Sequence, residues 1–258
     1  MTDALSYLYA VGEAALADAT DLPTLRGVDD ASVRAVVEGD LTAVVSPVSR
    51  TRFNEKSLRA ALEDLRWLEN TARAHHGVVD ALAAAHPVAP VRLATIYHDE
   101  DNVRALLADR APELSTALSR LRGRAEWGVK AFAVPADEHS RADPAEEPPA
   151  GAGPGTSYLL RRRAQRDRSA RHREHATEAA ERAYRELGRH AVASRRYPPQ
   201  DPRLTGRHDE MLLNAAYLVP ETLAGALRRL VEGWADPHLR LELTGPWAAY
   251  SFATVERE

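Results

Sequence analysis

The side chains here that could do chemistry are histidines, arginines and carboxylates, because the 258-residue chain contains no cysteine and hence no thiolate nucleophile or metal ligand. His75 and His76 fall on or beside the apolar stripe of a helix-patterned segment. A neutral imidazole there could bind a metal, pass a proton or bond a backbone carbonyl, and a packed, satisfied histidine is the favoured reading. His172 and His175 stand three residues apart with Glu178 nearby; the spacing permits a metal site but dictates no third ligand, so a solvated charged face is favoured. Arg92, between Val91 and Leu93, suits an anion or a carboxylate such as Glu126, with pairing the default. Gly151 to Gly155 (GAGPG) looks superficially like a phosphate loop, yet Pro154, the lack of a following lysine and the lack of a preceding strand make it a spacer. No GxxxxGK[ST], HExxH, GxSxG or GxGxxG pattern is present in a supporting context. The residues therefore assign no catalytic group, no cofactor and no metal, and a non-enzyme is expected.

Two stretches suit partner binding better than catalysis. Arg161, Arg162, Arg163, Arg166, Arg168, Arg171 and Arg173 crowd one helical segment, an electrostatic footprint that RNA would fit, although no aromatic strand signature for base stacking accompanies it. A solvated helix with opposite charges four apart (Arg163 and Asp167, Glu178 and Arg182, Glu181 and Arg185) is the stronger reading. The second stretch is LELTGPWAAYSF, Leu241 to Phe252. Its Gly-Pro-Trp turn reads as a strand end sealed by an aromatic, with an exposed patch of Trp247, Tyr250 and Phe252 as the alternative.

The elements that would position these residues follow from periodicity. Ser6 to Val11 alternates with period two and reads as a strand buried on both faces; Ser32 to Glu38 and Leu41 to Val45 read as a hairpin closed by Gly39 and Asp40. From Glu55 to Leu82 apolar residues recur every three or four positions, a long helix that Gly77 could bend. His86 to Tyr97 returns to strand character, Asp99 to Asn102 caps a helix that Pro112 could split, and Ala125 to Val134 alternates again. The order suggests an α+β fold whose first domain, residues 1–134, is a modified ferredoxin-like antiparallel sheet with two helices. Residues 135–156, rich in Pro, Ala, Gly and acids, cannot build a core and read as a linker or mobile loop. Residues 157–258 form a second α+β domain: a long helix from Ser157 to about Ala193, strands at Met211 to Val219 and His238 to Thr244, and a helix from Pro220 to Trp234.

Composition sets limits on the function class. A net charge of -4 and a pI near 6.2 lack the basic excess typical of nucleic-acid binders. Neither a secretory signal nor an apolar run long enough to span a bilayer is apparent, so a soluble, cytoplasmic protein without a membrane partner is expected.

Several segments together resemble the gas vesicle protein GvpL/GvpF family: YLYAV near the start, GDLTAVVSPV at Gly39 to Val48, ARAHHGVVDAL at Ala72 to Leu82, PVRLATIYHDEDNVRALL at Pro90 to Leu107, YLLRRRAQR at Tyr158 to Arg166, NAAYLV at Asn214 to Val219, and TGPWAAYSF at Thr244 to Phe252. One departure is visible, Ala94 where the family has Gly in its Pro-x-Arg-hydrophobic-Gly-Thr segment. The resemblance implies a minor gas vesicle protein without enzyme activity, needed for assembly or nucleation, that contacts the small hydrophobic shell protein GvpA and other accessory gas vesicle proteins. It implies residence in the gas vesicle, preceded by a cytoplasmic stage, and no nucleic-acid partner. The first domain's sheet is the expected contact surface, with Tyr7, Tyr9, Val36, Val44 and Arg92 as candidate partner-binding residues. The competing reading is an RNA-binding module using ferredoxin-like sheets and the Arg161 to Arg173 helix.

Overall fold

The computed structural model describes residues 4–19, 22–135, 154–200 and 209–253. The expected linker lies almost wholly outside them. The fold is α+β, and the chain divides into two compact units, residues 1–126 with 246–258, and residues 127–245.

In the first unit β1 (Ala4–Glu13) is the central strand, and β2 (Arg34–Glu38), β3 (Leu41–Ser49), β4 (Val88–Pro90) and β5 (Ile96–Tyr97) complete a sheet of order β2-β3-β1-β4, with β5 also on β1. The β2–β3 hairpin closes through Gly39 at φ 55°, opposite a Glu38–Leu41 pair, as the sequence predicts. Helices α1 (Arg50–Phe53), α2 (Glu55–Leu62) and α3 (Leu65–Ala85) follow β3, while α4 (Glu100–Asp109) and α5 (Ala111–Leu121) follow β5. Leu5, Tyr7 and Tyr9 share a core with Val78, Val79 and Leu82 of α3, whereas α4 and α5 lie against β1 to β4 and bury Val103, Leu107, Leu114 and Leu118. That arrangement is why β1 shows no polar face.

The long helix expected from Glu55 to Leu82 is two helices. Asp64 breaks it by turning its carboxylate onto the N–H groups of Arg66 and Trp67, satisfying donors that would be orphaned at the start of α3. Asn54 caps α2 and Asp99 caps α4 in the same way, and α4 and α5 divide at Arg110, just before Pro112. The strand expected over His86 to Tyr97 survives only at its ends, because Ala94 adopts a left-handed φ of 63° and turns the chain.

The second unit has the order β6 (Arg124–Ala133), α6 (Pro154–Gly188), β7 (Ala193–Arg196), β8 (Met211–Pro220), α7 (Glu221–Glu232) and β9 (Leu239–Trp247), and its sheet runs β7-β8-β6-β9. This is the βαββαβ plan of a ferredoxin-like unit. The expected boundary at 134 is thus corrected: β6 hydrogen-bonds to β8 and β9, and its Trp127, Val129 and Ala131 enter the second core. The C-terminal boundary changes too, since Ala248 and Tyr250 pack in the first core. The long helix expected to run to about Ala193 stops at Gly188, and β7, unexpected from the sequence, follows it. Two of the three expected i,i+4 pairs are replaced by tertiary ones: Arg182 pairs with Asp236 at 2.7 Å and Glu181 with Arg196 at 2.6 Å, while Arg163 and Asp167 stand at 4.0 Å.

Candidate partner-docking surface

The five residues expected to meet a partner separate sharply. Tyr7, Tyr9 and Val44 are fully buried and Val36 is 1% exposed, whereas Arg92 lies on the surface. Four of the five therefore shape the core in this structure. The tyrosines do specific work there. Tyr7 Oη accepts the N–H of Ala94 at 2.9 Å and reaches His75 Nδ1 at 3.3 Å, while His75 Nε2 reaches the carbonyl of Val91 at 3.2 Å. A carbonyl only accepts, so Nε2 carries the proton, Nδ1 presents its lone pair, and Tyr7 donates to it. One neutral imidazole thus ties β1, α3 and the 91–95 turn together. Burial, reinforced by the neighbouring His76, lowers the His75 pKa to about 4, and burial raises both tyrosine pKa values. Tyr9 Oη accepts the N–H of Val28 and shares a proton with Ser46 Oγ, both at 2.7 Å. The favoured sequence reading of His75, a packed and satisfied histidine, is the observed one.

His76 instead reaches outward to Tyr250, Nδ1 to Oη at 3.1 Å, and Ser251 donates its backbone N–H to Glu126 at 2.8 Å. The aromatic that seals the closing stretch is therefore Tyr250. Trp247, expected in that role, ends β9 and is 51% exposed.

The second unit carries the open surface. A groove of about 780 Å³ runs between α7 and β9, lined by Trp127, Val231, Trp234, Leu239, Leu241 and Leu243, with Arg228, Glu232 and Arg240 at its polar margins. Leu241 and Leu243 are half-buried, and β9 is an edge strand of its sheet. The indole Nε1 atoms of Trp127 and Trp234 are buried without a hydrogen-bond partner among the described residues, and Arg228 lies over the Trp127 ring at 4.8 Å. Apolar side chains beside a strand edge together suit an extended apolar segment. The alternation of Leu239, Leu241 and Leu243 with Arg240 and Glu242 marked β9 as half-buried in the sequence. Its edge position was not legible there, since that depends on where β6 pairs.

Along α6, Arg162, Arg163, Arg166, Arg168 and Arg171 are all exposed, and Arg173 is exposed and paired with Glu210, while the Arg161 side chain lies outside what the structure describes. Among the described residues no helix is long and apolar enough to cross a membrane.

A family model described as gas vesicle synthesis protein GvpL/GvpF matches residues 5–254. Gas vesicle protein L of Streptomyces sp. (strain CB03234) is 42% identical over 260 residues, covering 100% of this chain and 96% of that protein. Two solved structures share the fold. GvpF from Anabaena sp. PCC7120 has a TM-score of 0.65 at 19% identity, covering 98% of each chain. GvpF from Microcystis aeruginosa has a TM-score of 0.64 at 18% identity, covering 98% of this chain and 100% of that one.

Proposed function

As the chain belongs to the gas vesicle synthesis protein GvpL/GvpF family, we propose that it serves gas vesicle assembly by binding the small hydrophobic shell protein GvpA, together with other accessory gas vesicle proteins. The groove between α7 and β9 supports this reading most directly. A shell subunit that is strongly apolar needs its surface covered until it joins the wall, and half-exposed leucines beside an unextended sheet edge offer that cover. Arg92 remains a candidate rim contact on the first unit. Tyr7, Tyr9, Val36 and Val44 contribute by holding the sheet that presents it. The protein acts in the cytoplasm before joining or nucleating the vesicle, and it performs no catalysis.

The test is capture of co-expressed shell subunit by the full chain at moderate salt, set beside the double variant Leu241→Arg, Leu243→Arg. Both leucines are half-exposed, so the variant should keep its fold, verified by circular dichroism, and lose capture. Undiminished capture would remove the groove from the proposal. No capture by the unaltered chain, with vesicles still forming in a strain deleted for its gene, would remove the function itself. RNA binding through the exposed arginines of α6 is the second reading; it requires retention of labelled RNA that falls steeply with salt and weakens when Arg162 and Arg163 become Ala.

A further inference from the structure

Sequence spacing alone left His172 and His175 without a third ligand, and the fold supplies a partner 66 residues away. His238, just before β9, places its Nδ1 3.1 Å from Nδ1 of His172, with ring centroids 4.7 Å apart. The His175 ring stacks on His238 at 5.3 Å between centroids. The tautomer of His172 is fixed from behind: its Nε2 lies 2.5 Å from the carbonyl of Val134, so Nε2 donates and the lone pair of Nδ1 points at His238. His238 is held in turn by its backbone N–H, which donates to Asp236 Oδ1 at 2.9 Å, while Asp236 is anchored by Arg182.

We propose that His172 and His238 chelate a borderline divalent transition ion such as Zn²⁺ or Ni²⁺ through their Nδ1 atoms, with His175 able to swing in as a third imidazole. Two nitrogens bound tetrahedrally to one Zn²⁺ at about 2.05 Å lie about 3.3 Å apart, so the observed pair needs to open by only about 0.2 Å. A backbone carbonyl receiving the other ring N–H is the arrangement that orients metal-binding histidines, and Val134 provides it for His172. His175 is largely exposed, and Glu178 stands 3.9 Å from its ring, too far to fix it, so the ring can turn. No three donors already surround one point among the described residues, so the site is a two-imidazole chelate completed by water or by the rotation of His175. Without metal the pair shares one proton, donated by His238. On binding, His238 changes tautomer: its Nδ1 proton leaves, Nε2 takes one up from solvent, and the ring stays neutral while both Nδ1 lone pairs face the ion. The ion would bolt α6 to the start of β9, the strand that borders the groove.

The experiment titrates Zn²⁺, and separately Ni²⁺, into the tag-free full chain by calorimetry at pH 7.5. One ion per chain should bind, with affinity reduced at least tenfold by His172→Gln or His238→Gln, less by His175→Gln, and not at all by His98→Ala, on the first unit. In a second readout, trace Cu²⁺ should broaden the imidazole resonances of His172, His238 and His175 before those of His75, which holds even if a glutamine variant misfolds. Absence of saturable binding, affinity unchanged in both the His172 and His238 variants, or broadening that spares these rings would overturn the proposal.

Discussion

Lowering the pH should loosen the first unit through one residue. His75 is wholly buried, its ring is satisfied as a neutral donor and acceptor, and its pKa falls from 6.5 in the unfolded chain to about 4 in the fold. Above pH 6.5 both states hold a neutral ring and the residue adds no pH dependence. Between 6.5 and 4 the unfolded chain binds a proton that the folded chain refuses, so stability falls with pH at about 1.4 kcal/mol per unit, or roughly 3 kcal/mol over the window. Below 4 the folded ring can titrate too and the loss levels off. The control is His75→Gln, whose amide can still donate to Val91 but leaves the Tyr7 hydroxyl without its acceptor, at a cost of about 1 to 3 kcal/mol near neutrality. Native-state amide exchange of the β1–β3 ladder, corrected for intrinsic rates, reads this unit's opening free energy at each pH. The advantage of the unaltered chain over the variant should be largest at pH 7.5 and vanish or invert by pH 4.5. A constant difference across that range would refute the assignment of His75 as the buried neutral group.

Three further perturbations test the core. Gly27→Ala sets a methyl against Tyr9 Oη and breaks the Tyr9 to Val28 bond, so it should cost about 2 kcal/mol or more in urea unfolding, where a tolerated methyl would stabilise slightly. Ala94→Gly places the residue suited to φ 63° where this chain departs from its family and should raise stability by about 0.5 to 1 kcal/mol, seen as a higher Tm; a lower Tm would contradict the strain. Tyr250→Ala should cost about 3 kcal/mol, while Trp247→Ala, at an exposed position, should stay within about 0.5 kcal/mol; equal effects would restore the sealing role to Trp247.

The sequence by itself determined the local grammar. Period-two runs placed β1, β6 and β9, an apolar run placed β8, turn residues placed the β2–β3 hairpin, and Asp99 placed the start of α4, because side-chain alternation and capping are settled within a few residues. Family-wide segments made membership legible as well. Even locally, Asp64 went unread as a cap, since the apolar stripe ran unbroken across it. Tertiary structure alone decided which sheet receives β6, that β9 is an edge, that Tyr7 and Tyr9 face inward, and that His238 arrives at His172. Strand pairing joins residues far apart in the chain, and periodicity specifies that a face is buried without naming what buries it. For β1 the cover turned out to be helices on both sides, which took Tyr7 and Tyr9 from the surface; for β9 one long edge was left open, and the proposed docking surface lies beside it.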